Sequence, residues 1–142
     1  MMKTTEILFE KIKEFEGCRL QAYQDAGGVW TIGYGHTKSV RRGDRITQYL
    51  AEEYLRQDIE EAERQIGELG LTLTQGQLDA LVSFVFNVGI GNLKRSTLLR
   101  FIREGRPAHE IQKQFRQWVY ADGRTLPGLV KRREWESVRF FH

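Results

Sequence analysis

EGCRLQAYQDAGGVWTIGYGHT, residues 16–37, puts two carboxylates, a hydroxyl and a histidine on one short, turn-rich segment directly after an amphipathic stretch. Acids and hydroxyls at fixed offsets around glycines are costly to hold in place unless they do chemistry. This segment therefore bounds the reading more tightly than the rest of the chain.

Upstream, Leu8, Ile12 and Phe15 recur at spacings of four and three, one apolar stripe of a helix opened by Thr4 or Thr5. Glu16 follows Ile12 by four residues and so lies close to that stripe, with Gly17 as terminator. A carboxyl there meets the negative end of the helix dipole and partial burial, which favour the protonated acid that a proton donor needs. By position alone, Glu16 reads first as an ordinary solvated glutamate at a helix end.

Asp25 precedes Ala26-Gly27-Gly28, a turn signal between two strand-like runs. Alone, such an aspartate is a turn former. Across that turn the run from Val29 to Thr37 alternates, with Trp30, Ile32, Tyr34 and His36 on one face and Thr31, Gly33 and Gly35 on the other. The two glycines are expected to leave bare backbone that a flat ligand can approach. Thr31, six residues after Asp25, shares the tight hairpin with it, so that both side chains can hold one water. An acid at a helix end facing an aspartate and a threonine on a hairpin is equipment for glycoside hydrolysis.

Glu16-x8-Asp25-x5-Thr31, embedded in EGxRLxAYxDxxGxxTIGYGHT, resembles the catalytic signature of the phage-type lysozymes, glycoside hydrolase family 24. The resemblance continues through QLDALVSFVFNVG (77–89), STLLRFIREG (96–105) and LPGLVKRREWE (126–136), and covers nearly the whole chain. It implies that Glu16, Asp25 and Thr31 form a catalytic triad. It also implies a muramidase that hydrolyses the β-1,4 bond between N-acetylmuramic acid and N-acetylglucosamine in peptidoglycan, with inversion through direct water attack. Two departures stand out: Arg139, where the family often has an aliphatic residue, and Lys131, where many members carry an uncharged polar one. The first bears on packing of the last turn. A lytic transglycosylase and a catalytically dead wall-binding module are the rival readings.

Composition agrees. A chain of 142 residues, 40% of them apolar, with two prolines and no low-complexity stretch, suits one compact domain. One cysteine excludes an intrachain disulfide, and scattered histidines at 36, 109 and 142 give no metal site, so no cofactor is expected. Cys18 reads as a small packing residue. No apolar run at the N-terminus is long enough for a signal peptide or anchor. The expected life history is synthesis in a bacterial host cytoplasm and action on the wall as a monomer, without membrane insertion. The net charge of +3 points weakly to an anionic partner, wall or nucleic acid. Lys131-Arg132-Arg133 is followed by Glu134 and Glu136 at helical spacing, which reads as a solvated, ion-paired face and argues against nucleic acid.

The remainder reads as helices. Leu50, Tyr54, Ile59, Ala62 and Ile66 mark one face of a long helix over 47–66, polar on its other side. Thr74 and Gln77 form a capping box that opens the helix Leu78 to Val88. Ser96 opens a short helix closed by Gly105. Pro107 starts another, with Ile111, Phe115 and Trp118 on one face. Pro127 or Gly128 opens the last, with Val130, Trp135 and Val138 as core contacts. Strand signal is confined to Leu20 through Thr37, extended toward Ile46.

The expected fold is α+β and mostly helical: a hairpin lobe over 17–46, a connecting helix over 47–66, and a helical lobe of 1–16 with 67–142. His36 reads as a hydrogen-bonded core histidine, and Trp118 and Trp135 as core. Thr37, Phe86, Asn87 and Ser96 are candidate substrate contacts. Asn87 serves equally as a helix cap, and Ser96 is an N-cap first.

Overall fold

The computed structural model describes residues 2–121 and 123–142. Helix α1 runs Glu6–Glu16 and ends at Gly17, whose φ of +67° breaks the helix while its amide still reaches Lys13 O. Leu8, Phe9 and Ile12 are buried; Phe9 widens the expected stripe, and Phe15 is half-buried edge-on to Trp135. Thr5 sits at the N-cap, but its amide and hydroxyl go to Asp79 rather than to its own helix.

Strands β1 (Arg19–Gln24) and β2 (Trp30–Gly33) form an antiparallel hairpin with Tyr23 opposite Thr31 and Gln24 opposite Trp30. The expected alternation to Thr37 stops at Gly33. Positive φ at Gly33 (+65°) and Gly35 (+79°) turns the chain, and Ile32 and His36 bond each other's backbone across that turn. A Cβ on Gly33 would stand 3.4 Å from Ala51 and Ile46, so its bare backbone serves packing and not a ligand. The extension toward Ile46 is present: the Ala22 amide donates to Asp44 O and the Ile46 amide to Leu20 O.

Helix α2 (Gln48–Gly67) starts where Thr47 Oγ1 accepts the Leu50 amide. It buries Ala51, Leu55, Ile59, Ala62 and Ile66, one position on from the expected Leu50 and Tyr54 in its first half, and also Glu63. Helix α3 (Gln75–Val88) opens with the full capping box of Thr74 and Gln77. A short α4 (Ile90–Arg95) follows that the sequence reading did not anticipate. Helix α5 (Thr97–Glu104) is capped by Ser96 and closed by Gly105 at φ +66°. Helix α6 (Ala108–Arg116) buries Ile111 and Phe115, and Trp118, just past its end, sits edge-on to Phe84.

Two expectations are corrected beyond this point. A second hairpin, β3 (Tyr120–Ala121) with β4 (Arg124–Thr125), lies outside the region to which strand signal was confined; two-residue strands leave no readable alternation. Helix α7 (Pro127–Arg139) buries Arg132, Arg133, Glu136 and Ser137, while Val130 and Val138 face outward. Of the supposed wet face, Arg132, Arg133 and Glu136 lie on the inner face of the helix, while Lys131 and Glu134 stay exposed and Glu134 pairs with Arg116. Buried apolar side chains from α1 through α6, with Tyr34 from beside the hairpin and Phe140 from just past α7, form one cluster around α3.

Candidate active site

The inner face of α7 is polar because the face of α3 against it is polar. Asp79, Ser83 and Asn87 recur every fourth residue on a helix that is otherwise apolar from Leu78 onward. Arg139 donates from Nε and Nη2 to Asp79 Oδ2 at 3.0 and 2.8 Å, which accounts for a charged residue at the position expected to be aliphatic. Arg132 donates from Nε to Ser83 Oγ at 3.2 Å and from Nη2 to Ser83 O at 2.9 Å. Arg133 donates from Nη2 to Asn87 Oδ1 at 2.8 Å, so Asn87 belongs to this ladder and does not cap its helix.

Glu136 ties the ladder together. Its Oε2 accepts the Ser83 hydroxyl at 2.6 Å and lies 3.6 Å from Arg132 Nε, and its Oε1 lies 2.9 Å from Arg133 Nε. The last contact is a meeting of charges without hydrogen-bond alignment, and Arg133 Nη1 has no acceptor among the described residues. Burial pushes the Glu136 carboxyl up to about 7, against the pull of Arg133 and then Arg132. Burial also lowers Arg133. A carboxyl raised from 4.5 to about 7 binds its proton more tightly in the folded chain than in the unfolded one. Stability from this group therefore falls as pH rises between those values. Glu136→Gln should flatten that slope, which urea midpoints taken across the interval would reveal; an unchanged slope would assign the dependence elsewhere.

One donor of this network leaves the core. Arg132 Nη1 reaches Glu16 Oε2 at 2.7 Å, with the guanidinium over the Phe15 ring. Sequence reading gave Glu16 a helix end and partial burial, and missed this cationic partner; the polar stripe on α3 was the signal for it. Glu16 Oε1 points at Gly35, where a Cβ would stand only 2.8 Å away, with Phe86 on the far side at 3.8 Å. The turn after β2 is thus pressed directly against the carboxyl, and only a glycine leaves it room.

Gly35→Ala should cost about 1–2 kcal/mol through its left-handed backbone and also turn Glu16 aside. Gly70→Ala supplies the control, since Gly70 has φ +72° with nothing near its missing Cβ. Comparable losses of thermal stability are expected in both, with lost activity only at Gly35. Equal turnover in the two variants would contradict this contact.

Glu16, Asn87 and Arg132 line a cleft of about 1090 Å³ that runs along α1 and α7 past Phe15, Lys131 and Trp135. A shallower depression of about 390 Å³ holds Thr37, Phe86, Lys38 and Asp58, and Gly35 lies on its rim. Beside it His36 Nδ1 is 2.8 Å from Asp58 Oδ2 and stacks on Tyr54, the expected hydrogen-bonded core histidine. Burial raises the Asp58 carboxyl, opposed by His36. Ser96 lines neither space: its Oγ donates to Leu93 O and accepts the Leu99 amide, so capping occupies it.

On the hairpin, Asp25 is exposed and its Oδ1 accepts the Gly27 and Val29 amides at 2.8 and 2.9 Å, leaving Oδ2 open. Thr31 is nearly buried, and its Oγ1 donates to Val29 O at 2.9 Å, which aims its lone pairs elsewhere. Because Tyr23 pairs with Thr31 and the Asp25 amide bonds Val29 O, Asp25 and Thr31 are diagonal neighbours on one face rather than directly opposed.

The phage lysozyme family model matches residues 13–136, from the end of α1 to Glu136. The chain belongs to the phage lysozyme family. Among relatives of this phage lysozyme, an endolysin of Acyrthosiphon pisum secondary endosymbiont phage 1 is 42% identical over 91% of each chain. An endolysin of Bacillus phage B103 is also 42% identical over 91% of this chain, which spans only 50% of that relative's length. The solved muramidase domain of SpmX from Asticaccaulis excentricus superposes with a TM-score of 0.90 at 39% identity, covering 100% of this chain and 99% of the other. The α+β, mostly helical lysozyme-like fold is therefore that of the family. Among the described residues no helix is long and apolar enough to cross a membrane.

Proposed function

We propose that this phage lysozyme is a muramidase: it hydrolyses the β-1,4 bond between N-acetylmuramic acid and N-acetylglucosamine in peptidoglycan and so causes lysis. The observation that carries the reading is Glu16, held by Arg132 in the wall of a cleft of about 1090 Å³ and backed by the Gly35 turn. Glu16 donates its proton to the departing glycosidic oxygen. Asp25, through Oδ2, and Thr31, through the lone pairs of its hydroxyl, hold the attacking water. Direct attack by that water inverts the anomeric centre, which suits carboxyls roughly 6.5–9.5 Å apart rather than about 5–5.5 Å. Asn87 and Phe86 flank the glycan, and Thr37 contacts it from the hairpin side. No metal or cofactor takes part.

The division into a hairpin lobe (17–46), a connecting helix and a helical lobe is part of the same proposal. It places Glu16 on one lobe and Asp25 with Thr31 on the other. Clearing of chloroform-permeabilised Gram-negative cells by wild type, with none by Glu16→Gln, tests the function. Equal clearing by both would reject the role of Glu16.

The shared water has its own test. Asp25→Asn keeps an acceptor for the Gly27 and Val29 amides, so it probes the chemistry and not the turn. Groups that act as a unit lose activity non-additively. Asp25→Asn, Thr31→Ala and the double variant should fall to similar turnover; multiplying losses would contradict a common water.

A further inference from the structure

The net charge of the chain is not spread over its surface. Residues 17–46 carry Arg19, Lys38, Arg41, Arg42 and Arg45 against Asp25 and Asp44, a surplus of three that equals the net charge of the whole chain. The rest is balanced, with seventeen cations and seventeen carboxylates. Outside the hairpin segment many arginines have carboxylate partners, among them Arg56, Arg64, Arg100, Arg106 and Arg116. Arg19, Arg41, Arg42 and Arg45 are exposed and have no ion-pair partner among the described residues.

The backbone also groups them. Gln21 pairs with Arg45, which sets Arg45 beside β1, the strand that carries Arg19. Arg19 is steadied over the Tyr23 ring at 4.4 Å. Arg41 and Arg42 stand on a tight turn that Asp44 closes by accepting the Arg41 amide at 2.8 Å, which commits one of the two local carboxylates to the backbone. Lys38 shares its depression with Asp58 and Glu61 and contributes less. Four arginines remain.

We infer that this arginine surface of the hairpin segment binds a linear polyol-phosphate polymer of the bacterial wall, holding the enzyme on its substrate through contacts separate from the glycan cleft. Guanidinium forks fit phosphate oxygens in pairs, and four on a strand and an adjoining loop suit repeating phosphates along a flexible chain. A wall polymer is favoured over nucleic acid because the surface is continuous with the hairpin that carries Asp25 and Thr31. It is favoured over a lipid surface because the aromatic ring beside the arginines, Tyr23, is half-buried under Arg19 rather than presented to a bilayer. The inference rests on the muramidase reading only for the identity of the wall; the charge surface stands by itself.

The test measures binding of poly(glycerol phosphate), duplex DNA and anionic phospholipid vesicles against salt concentration. It uses wild type, R41Q/R42Q/R45Q and a charge-matched control, K94Q/K113Q/R124Q. The hairpin variant should bind poly(glycerol phosphate) about tenfold or more weakly at low salt, and its log–log salt slope should shrink by about 2, as for three lost phosphate contacts on a flexible polyanion. The control should stay near wild type, and both variants should turn over solubilised glycan fragments normally. Equal weakening in the two variants would overturn the inference, because net charge alone would then explain binding. So would stronger wild-type binding to DNA or to vesicles than to the polymer. If glycan turnover is absent from wild type itself, the muramidase reading fails while the polymer measurement still decides this one.

Discussion

Glu16→Gln should lower kcat/KM on purified peptidoglycan by at least ~10²–10⁴-fold, the usual contribution of a general acid. The upper end is expected because an alkoxide leaving from an unactivated sugar cannot depart without a proton. Glutamine matches the size of Glu16, so Arg132 still finds an oxygen to bond and the Gly35 turn still has its neighbour. The variant therefore separates proton donation from packing. Thermal unfolding and glycan binding should remain close to wild type while turnover disappears. A variant that clears cells as wild type does, at equal folded concentration, would remove Glu16 from the chemistry altogether.

Glu136→Leu should cost about 3–5 kcal/mol of stability, the range for breaking a buried ion pair from one side. Three groups each lose one of their partners at once: Arg132, Arg133 and the Ser83 hydroxyl. Leucine fills the space, so the loss reports stranded polar groups rather than a cavity. Activity should fall as well, because Arg132 reaches Glu16 from this network and would then be held in the core by Ser83 alone. Urea unfolding beside turnover of the residual folded fraction measures both. Stability within about 0.5 kcal/mol of wild type would mean that Glu136 is dispensable to the network.

How much of this was legible depends on whether the signal was local. The capping box at Thr74, the stop at Gly17, the turn after Asp25 and the caps at Ser96 and Gly105 are short-range patterns, and the structure has all of them. The hydrogen-bonded setting of His36 was readable from its place among apolar neighbours, although Asp58 was not. What escaped was tertiary. The run of Lys131, Arg132 and Arg133 with Glu134 and Glu136 has the same spacing on a wet face as on a buried one, and only the partner helix decides. That partner was visible in principle, since Asp79, Ser83 and Asn87 are an i, i+4, i+8 polar stripe on an apolar helix. Read together, the two stripes predict an interhelical ladder and place a guanidinium beside Glu16. The Gly35 contact had no such signal, because strand alternation pointed that glycine at a ligand rather than at a carboxyl. The second hairpin and α4 were too short to carry a period.

The reaction itself gives the most direct check. Purified peptidoglycan digested by wild type in oxygen-18 water, with the products weighed by mass spectrometry, distinguishes hydrolysis from its rivals. The account predicts new reducing ends on N-acetylmuramic acid, each hydrated and carrying one oxygen atom from solvent. Anhydro ends lighter by one water and free of solvent oxygen, or no cleavage at all, would contradict a water held by Asp25 and Thr31 and a proton delivered by Glu16.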